Sequence, residues 1–127
     1  MTYLFDTNIF LEILLDQDKK NEAKKIISAN IDQLFISDFS LHSIGFILIK
    51  QKKFQIFTAF WNDLIPNITV LSLPKDKYSN LNIFAERYAM DFDDSYQVMV
   101  VKEYNLNIIT MDKDFLKVKD LVEIKFL

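Results

Sequence analysis

Short apolar runs alternate along this chain with longer stretches in which apolar residues recur every three or four positions. Tyr3-Leu4-Phe5 is a run of the first kind and predicts a strand that stops at Asp6-Thr7-Asn8. Asp and Thr there suit a helix N-terminus, and Ile9, Phe10, Ile13 and Leu14 follow at helical spacing. A lysine-rich helix is predicted from Asp18 to Ala29, with Ala23, Ile26 and Ile27 on its buried side. Gln33 to Ile36 reads as a second strand and Ser37-Asp38 as a turn or cap, after which Leu41, Ile44, Ile47 and Leu48 mark another helix. Phe54, Phe57, Trp61 and Leu64 predict one face of a further helix, ended by Pro66-Asn67. Ile68 to Leu71, rich in β-branched residues, is a third strand. Pro74 is placed at a helix start, where its missing N–H costs nothing, and Leu81, Phe84, Ala85 and Tyr88 carry that helix to Met90. Tyr96 to Tyr104 form the next helix, Asn107 to Thr110 a fourth strand, Asp112 to Leu116 a short turn or helix, and Val122 to Phe126 a fifth strand.

Strands separated by helices imply parallel pairing through right-handed crossovers, with helices on both sheet faces. The expected fold is an α/β three-layer α/β/α sandwich around a central parallel sheet of about five strands. Residues 1–127 are expected to form one domain, because charge is spread evenly and no repeat or composition break divides them.

Composition narrows the chemistry. With no Cys, a disulfide scaffold, a thiolate metal site and a Cys nucleophile are excluded. A single His excludes a multi-His metal site. A net charge of −3 argues against holding nucleic acid by bulk electrostatics alone, but leaves room for carboxylates that meet phosphates through a cation. No apolar run reaches the roughly eighteen residues of a membrane span, and no signal-peptide pattern opens the chain, so a cytoplasmic location is expected.

In folds of this class, functional residues gather outside the carboxyl ends of the strands near a topological switch point. Asp6 directly follows the first strand, Asp112 follows the fourth by two residues, and Asp93 and Asp94 open the helix leading to the fourth. If those strands are neighbours, the acids converge. Clustered carboxylates repel unless protonated or bound to a cation, and Mg²⁺ or Mn²⁺ suits oxygen ligands plus water. Each acid also has a plain structural reading: Asp6 as a helix cap, Asp93 and Asp94 as first-turn acids, Asp112 and Asp114 as turn residues.

The chain resembles the PIN domain family, and within it the small VapC-like toxins of toxin–antitoxin pairs. The resemblance is carried by Leu4-Phe5-Asp6-Thr7-Asn8-Ile9, by Asp93-Asp94-Ser95-Tyr96 at the head of a helix, and by Ile108-Ile109-Thr110-Met111-Asp112-Lys113-Asp114-Phe115. It implies metal ligation by Asp6, Asp94 and Asp112, with Asn8 at the site rim and Thr110 orienting the loop that bears Asp112. Asp93 is the register alternative to Asp94, and Asp114 is expected to face solvent or stabilise its loop. It further implies hydrolysis of RNA, a homodimer and capping by an antitoxin.

One departure stands out. Where the family carries a Thr-x-x-Glu pattern after its second strand, this chain has Ser40-Leu41-His42-Ser43, so Ser43 takes the place of the Glu. Losing that carboxylate should weaken binding of a second cation. His42 beside it is either a ligand, phosphate contact or base, or a buried, hydrogen-bonded helix residue. Glu12, one turn beyond Asn8, either reaches the site or is exposed. Among the lysines, Lys113 is the best placed for phosphate. Phe54, Phe57, Phe60 and Trp61 are more apolar groups than one helix face needs, which suggests association or a well-filled core.

The resemblance, together with the converging acids, thus implies a Mg²⁺- or Mn²⁺-dependent endoribonuclease. The second reading is a degenerate PIN domain kept for RNA or protein binding without hydrolysis, motivated by the missing Glu. A phosphoacceptor receiver domain fits poorly, because Asp6 stands alone after the first strand, preceded by Phe5.

Overall fold

The structure, a computed structural model, describes residues 1–127. Five strands, β1 (Tyr3–Phe5), β2 (Leu34–Ser37), β3 (Ile68–Leu71), β4 (Asn107–Thr110) and β5 (Ile124–Phe126), form one sheet in the order β3-β2-β1-β4-β5. Every pairing is parallel, with Tyr3 opposite Leu34 on one side and Asn107 on the other. Six α-helices connect them: α1 (Thr7–Leu14), α2 (Lys20–Ala29), α3 (Asp38–Lys50), α4 (Phe54–Asp63), α5 (Tyr78–Tyr88) and α6 (Phe92–Glu103).

The side-chain period of two along each strand divides the core between the two sheet faces. Leu4 and Ile108 point into a cluster with Leu81, Phe84, Val100 and Val101, so α5 and α6 cover that face. Their neighbours Phe5 and Ile109 point the other way, to Ile9, Phe10, Ile27, Ile44 and Phe60 of α1 to α4. Leu4, Phe5, Ile108 and Ile109 are all wholly buried, which is why the central strands read as unbroken apolar runs. The three layers are those expected.

Local departures have local causes. Pro74 precedes a single 3₁₀ turn (Lys75–Lys77), and α5 begins only at Tyr78. Ala89, in the left-handed region at φ 51°, ends α5 and turns the chain so that α6 can start at Phe92, earlier than Tyr96. On α4 the residue that enters the core is Phe60, whose ring lies 6.0 Å from that of Phe10. Phe54 and Trp61 are 56% and 53% exposed, so the expected apolar face is only half used by this chain's own core. No helix is long and apolar enough to cross a membrane.

Candidate metal centre

The strand order reverses at β1, with β2 and β3 on one side and β4 and β5 on the other. The crevice past the carboxyl ends of β1 and β4 is therefore the switch point at which this class of sheet places its ligands. There a pocket of about 230 Å³ is lined by Asp6, Asn8, Ser43, Asp93, Asp94, Gln97 and Asp112, among others.

Asp6 forms the floor. It caps α1, accepting from the Thr7 N–H at 2.9 Å through Oδ1, which also accepts from Gln97 Nε2 at 3.0 Å. Its Oδ2 accepts from Thr110 Oγ1 at 2.7 Å. The cap and the site reading therefore coexist in one side chain. Burial raises the Asp6 carboxyl above its ordinary range despite the opposing hydrogen bonds of Gln97, Thr110 and Thr7, and the Asp112 charge adds to the rise.

Asp94 sits in the first turn of α6 and is 8% exposed. Burial first, then the charges of Asp93, Asp112 and Asp6, push its carboxyl up to about 7. Asp112 follows β4 and caps the 3₁₀ turn Lys113–Val118, its Oδ1 accepting from the Asp114 N–H at 2.9 Å. That turn brings Asp114 round: Asp94, Asp112 and Asp114 each offer an oxygen, and these oxygens lie within 4.8 Å of one another. Asp6 lines the same pocket but stands outside this tight trio, and both of its oxygens accept hydrogen bonds from protein donors. Asp114 is exposed, as expected, and its place beside Asp94 and Asp112 depends on how the 3₁₀ turn is set against β4 rather than on any motif.

The remaining expected residues divide. Asn8 and Asp93 are exposed at the pocket rim, Ser43 lines its wall, and Thr110 is buried beneath it. His42 is neither buried nor in the acidic pocket; it is exposed on α3 and lines a neighbouring depression with Phe39, Ser43, Phe46 and Ile47. Glu12 is 6% exposed, yet it does not line the pocket. Lys113 is exposed and does not line the pocket; its ammonium lies 3.9 Å over the Phe126 ring. Gln97, buried at the pocket wall and bonded to Asp6, is the residue that sequence reasoning missed: an amide inside an apolar helix carries no motif.

The donor set is all oxygen, anionic and partly open, which fits a hard divalent cation that keeps some of its waters. A parallel α/β sheet with carboxylates gathered at its switch point defines a class of small acidic-site domains. Residues 3–121 match the family profile of the PIN domain, and the chain belongs to that family. No curated protein matches the sequence closely enough to count as a relative. Among solved structures, a chain of a toxin–antitoxin complex from Klebsiella pneumoniae is similar at 23% identity and a TM-score of 0.72, with 90% of each chain covered. A chain of VapBC2 from Rickettsia felis, bound to a DNA fragment from their promoter, has 13% identity and a TM-score of 0.76 over 99% of this chain and 98% of that one. A chain of FitAcB from Neisseria gonorrhoeae has 18% identity and a TM-score of 0.76, covering 97% and 96%. At these identities the likeness is one of fold.

Proposed function

We propose that this protein is a Mg²⁺- or Mn²⁺-dependent endoribonuclease acting in the cytoplasm as the toxin of a toxin–antitoxin pair. PIN domains are generally nucleases, and the carrying observation is the set of acidic oxygens at the switch point, with the Asp94 carboxyl raised to about 7. Like charges held that close are tolerable with a proton or a cation among them. Asp94 and Asp112, with Asp6 at the floor and Asp114 at the rim, hold the cation. Once bound, it supplies an activated water for attack on the phosphodiester and offsets charge on the phosphoryl oxygens. Thr110 and Gln97 keep Asp6 oriented, and Asn8 and Asp93 border the opening through which RNA approaches.

An antitoxin partner is supported by the fold shared with chains of toxin–antitoxin complexes. A homodimer is supported by Phe46, Phe54 and Trp61, each more than half exposed on α3 and α4. The test is an RNA-cleavage assay with Mn²⁺ alongside calorimetric titration, on the wild type, Asp6→Asn and Asp94→Asn. Loss of both cleavage and Mn²⁺ binding in folded variants is expected; cleavage that persists in either variant removes the proposal.

A second reading has its own observation. Ser43 lines the pocket where the family's Glu is expected, so the site carries one charge fewer. A non-catalytic PIN domain binding RNA or protein follows if the wild type shows no saturable Mn²⁺ binding at millimolar metal.

A further inference from the structure

The acidic pocket has a neutral polar wall that its carboxylates do not explain. Gln97 lies on α6 three residues after Asp94, lines the same pocket as Asp6, Asp94 and Asp112, and is 2% exposed. Its Nε2 donates to Asp6 Oδ1 at 3.0 Å and to Ser40 Oγ at 2.7 Å. Those contacts set the amide's orientation, because an ionised carboxylate only accepts and the nitrogen must face it. Ser40 anchors the arrangement in turn, with Thr7 Oγ1 at 2.7 Å and Ser37 Oγ at 3.2 Å from its hydroxyl.

The carbonyl oxygen is left over. Gln97 Oε1 is buried and has no donor anywhere in the chain, a state it shares only with Glu12 Oε2, which belongs to a residue outside the pocket. Native proteins rarely leave such an acceptor unmade, and because Gln97 is part of the pocket's wall, the pocket's contents are the nearest source of a donor. A hydrated divalent cation fits that need: its waters turn their oxygens to the metal and their hydrogens outward, and ions of the Mg²⁺ type keep several of them. An amide also offers an acceptor without adding a charge to the repulsion that already raises Asp94.

We propose that Gln97 is a positioning residue of the cation site, its Nε2 holding Asp6 and its Oε1 accepting a hydrogen bond from a water of the cation's hydration shell. This rests on the reading of the pocket as a divalent-cation site. Outer-shell partners of this kind are typically worth about 10–100-fold in metal affinity.

The experiment is a calorimetric Mn²⁺ titration at about pH 8 of the full chain as wild type, Gln97→Met, Gln97→Glu and Asp94→Asn, with melting in chelator to check folding. Gln97→Met keeps the length of the side chain but neither donates nor accepts a comparable bond, and is expected to bind Mn²⁺ about tenfold more weakly. Gln97→Glu loses the donor to Asp6 but keeps an acceptor oxygen, and is expected to bind at least as tightly as wild type. A purely structural role predicts that both variants weaken through the lost bond to Asp6, with the charge of the Glu offsetting only part of that loss. Wild-type affinity in Gln97→Met, or weakened binding in Gln97→Glu despite its added charge, overturns the proposal. Should Gln97→Met not fold, Gln97→Leu takes its place with the same expected loss and the same overturning result. If wild type itself binds no Mn²⁺, the cation reading fails and takes this role with it. Binding that is lost in Asp94→Asn but untouched in Gln97→Met overturns the role of Gln97 alone.

Discussion

Thr110 Oγ1 donates to Asp6 Oδ2 at 2.7 Å and itself accepts the Asp112 N–H at 3.0 Å. One wholly buried side chain thereby ties the end of β1 to the loop that leaves β4, two places 104 residues apart in sequence. Thr110→Val keeps the shape and removes both bonds, leaving a buried carboxylate one donor short. A loss of about 1–3 kcal/mol is expected in urea unfolding near pH 8, with Thr110→Ser restoring most of it. Equal stability of the Val and Ser variants would show that this hydroxyl does not hold Asp6.

The metal-free protein should lose stability as pH rises. Asp94 has its carboxyl raised from 3.8 to about 7, chiefly by burial and then by the charges of Asp93, Asp112 and Asp6. Between those values the folded chain retains a proton that the unfolded chain has released. The contribution is therefore whole below about pH 4, declines with increasing pH, and is gone above about 7. Asp6, also raised, acts in the same direction. In chelator, Asp94→Asn should flatten the decline in Tm between about pH 5 and pH 8, and Mn²⁺ should raise the wild-type Tm most at the alkaline end. Parallel curves for wild type and variant would count against the raised carboxyl.

Much of this arrangement was legible before any coordinates. β1, β3 and β4 fall on the predicted apolar runs because their residues are hidden on both sheet faces or have β-branched chains, and length then separates strand from helix. The convergence of Asp6, Asp94 and Asp112 followed from the switch-point rule once β1 and β4 were taken as neighbours. Which phenylalanine of α4 enters the core was not readable, since Phe54, Phe57, Phe60 and Trp61 overlap in angle around the helix. Contact with Phe10 selects Phe60, and that is a tertiary fact. His42 shows the same limit: its neighbour Ser43 faces the acids, and a rotation of about 100° per residue carries His42 away from them. Gln97 and Asp114 depend on how α6 and a 3₁₀ turn are set against β4, which no local pattern encodes.

Tyr96 supports the wall of the pocket from behind. Its hydroxyl donates to Asp38 Oδ1 at 2.6 Å and accepts the Leu73 N–H at 2.9 Å, joining α6 to the start of α3 and the chain beyond β3. Burial, followed by the bond to Asp38, raises the phenol and keeps it protonated. Tyr96→Phe leaves the Leu73 N–H without a partner and should cost about 1–3 kcal/mol, read as an earlier denaturant midpoint with an unchanged slope. Because Tyr96 is absent from the pocket lining, Mn²⁺ affinity of the folded variant should stay at the wild-type level.

Ser43 offers the most direct test of what the missing carboxylate means. It lines the same pocket as the acids of α6, on the helix that follows β2, so a longer acidic side chain there has that space within reach. Ser43→Glu adds one negative charge to a site where repulsion already raises Asp94. Without metal, the added charge should lower Tm above about pH 7 and leave it nearly unchanged near pH 4, where the carboxyls hold their protons. With metal, the same charge becomes a ligand, and Mn²⁺ should bind at least about tenfold more tightly, by analogy with the gain from a well-placed metal-site group. RNA cleavage should rise in step if the present site is catalytic with a reduced set of ligands. Tighter Mn²⁺ binding with cleavage appearing only in Ser43→Glu would instead identify the wild type as a binding module whose chemistry was removed by that one substitution. Unchanged metal affinity would mean that position 43, despite its place on the wall, lies beyond the reach of the cation.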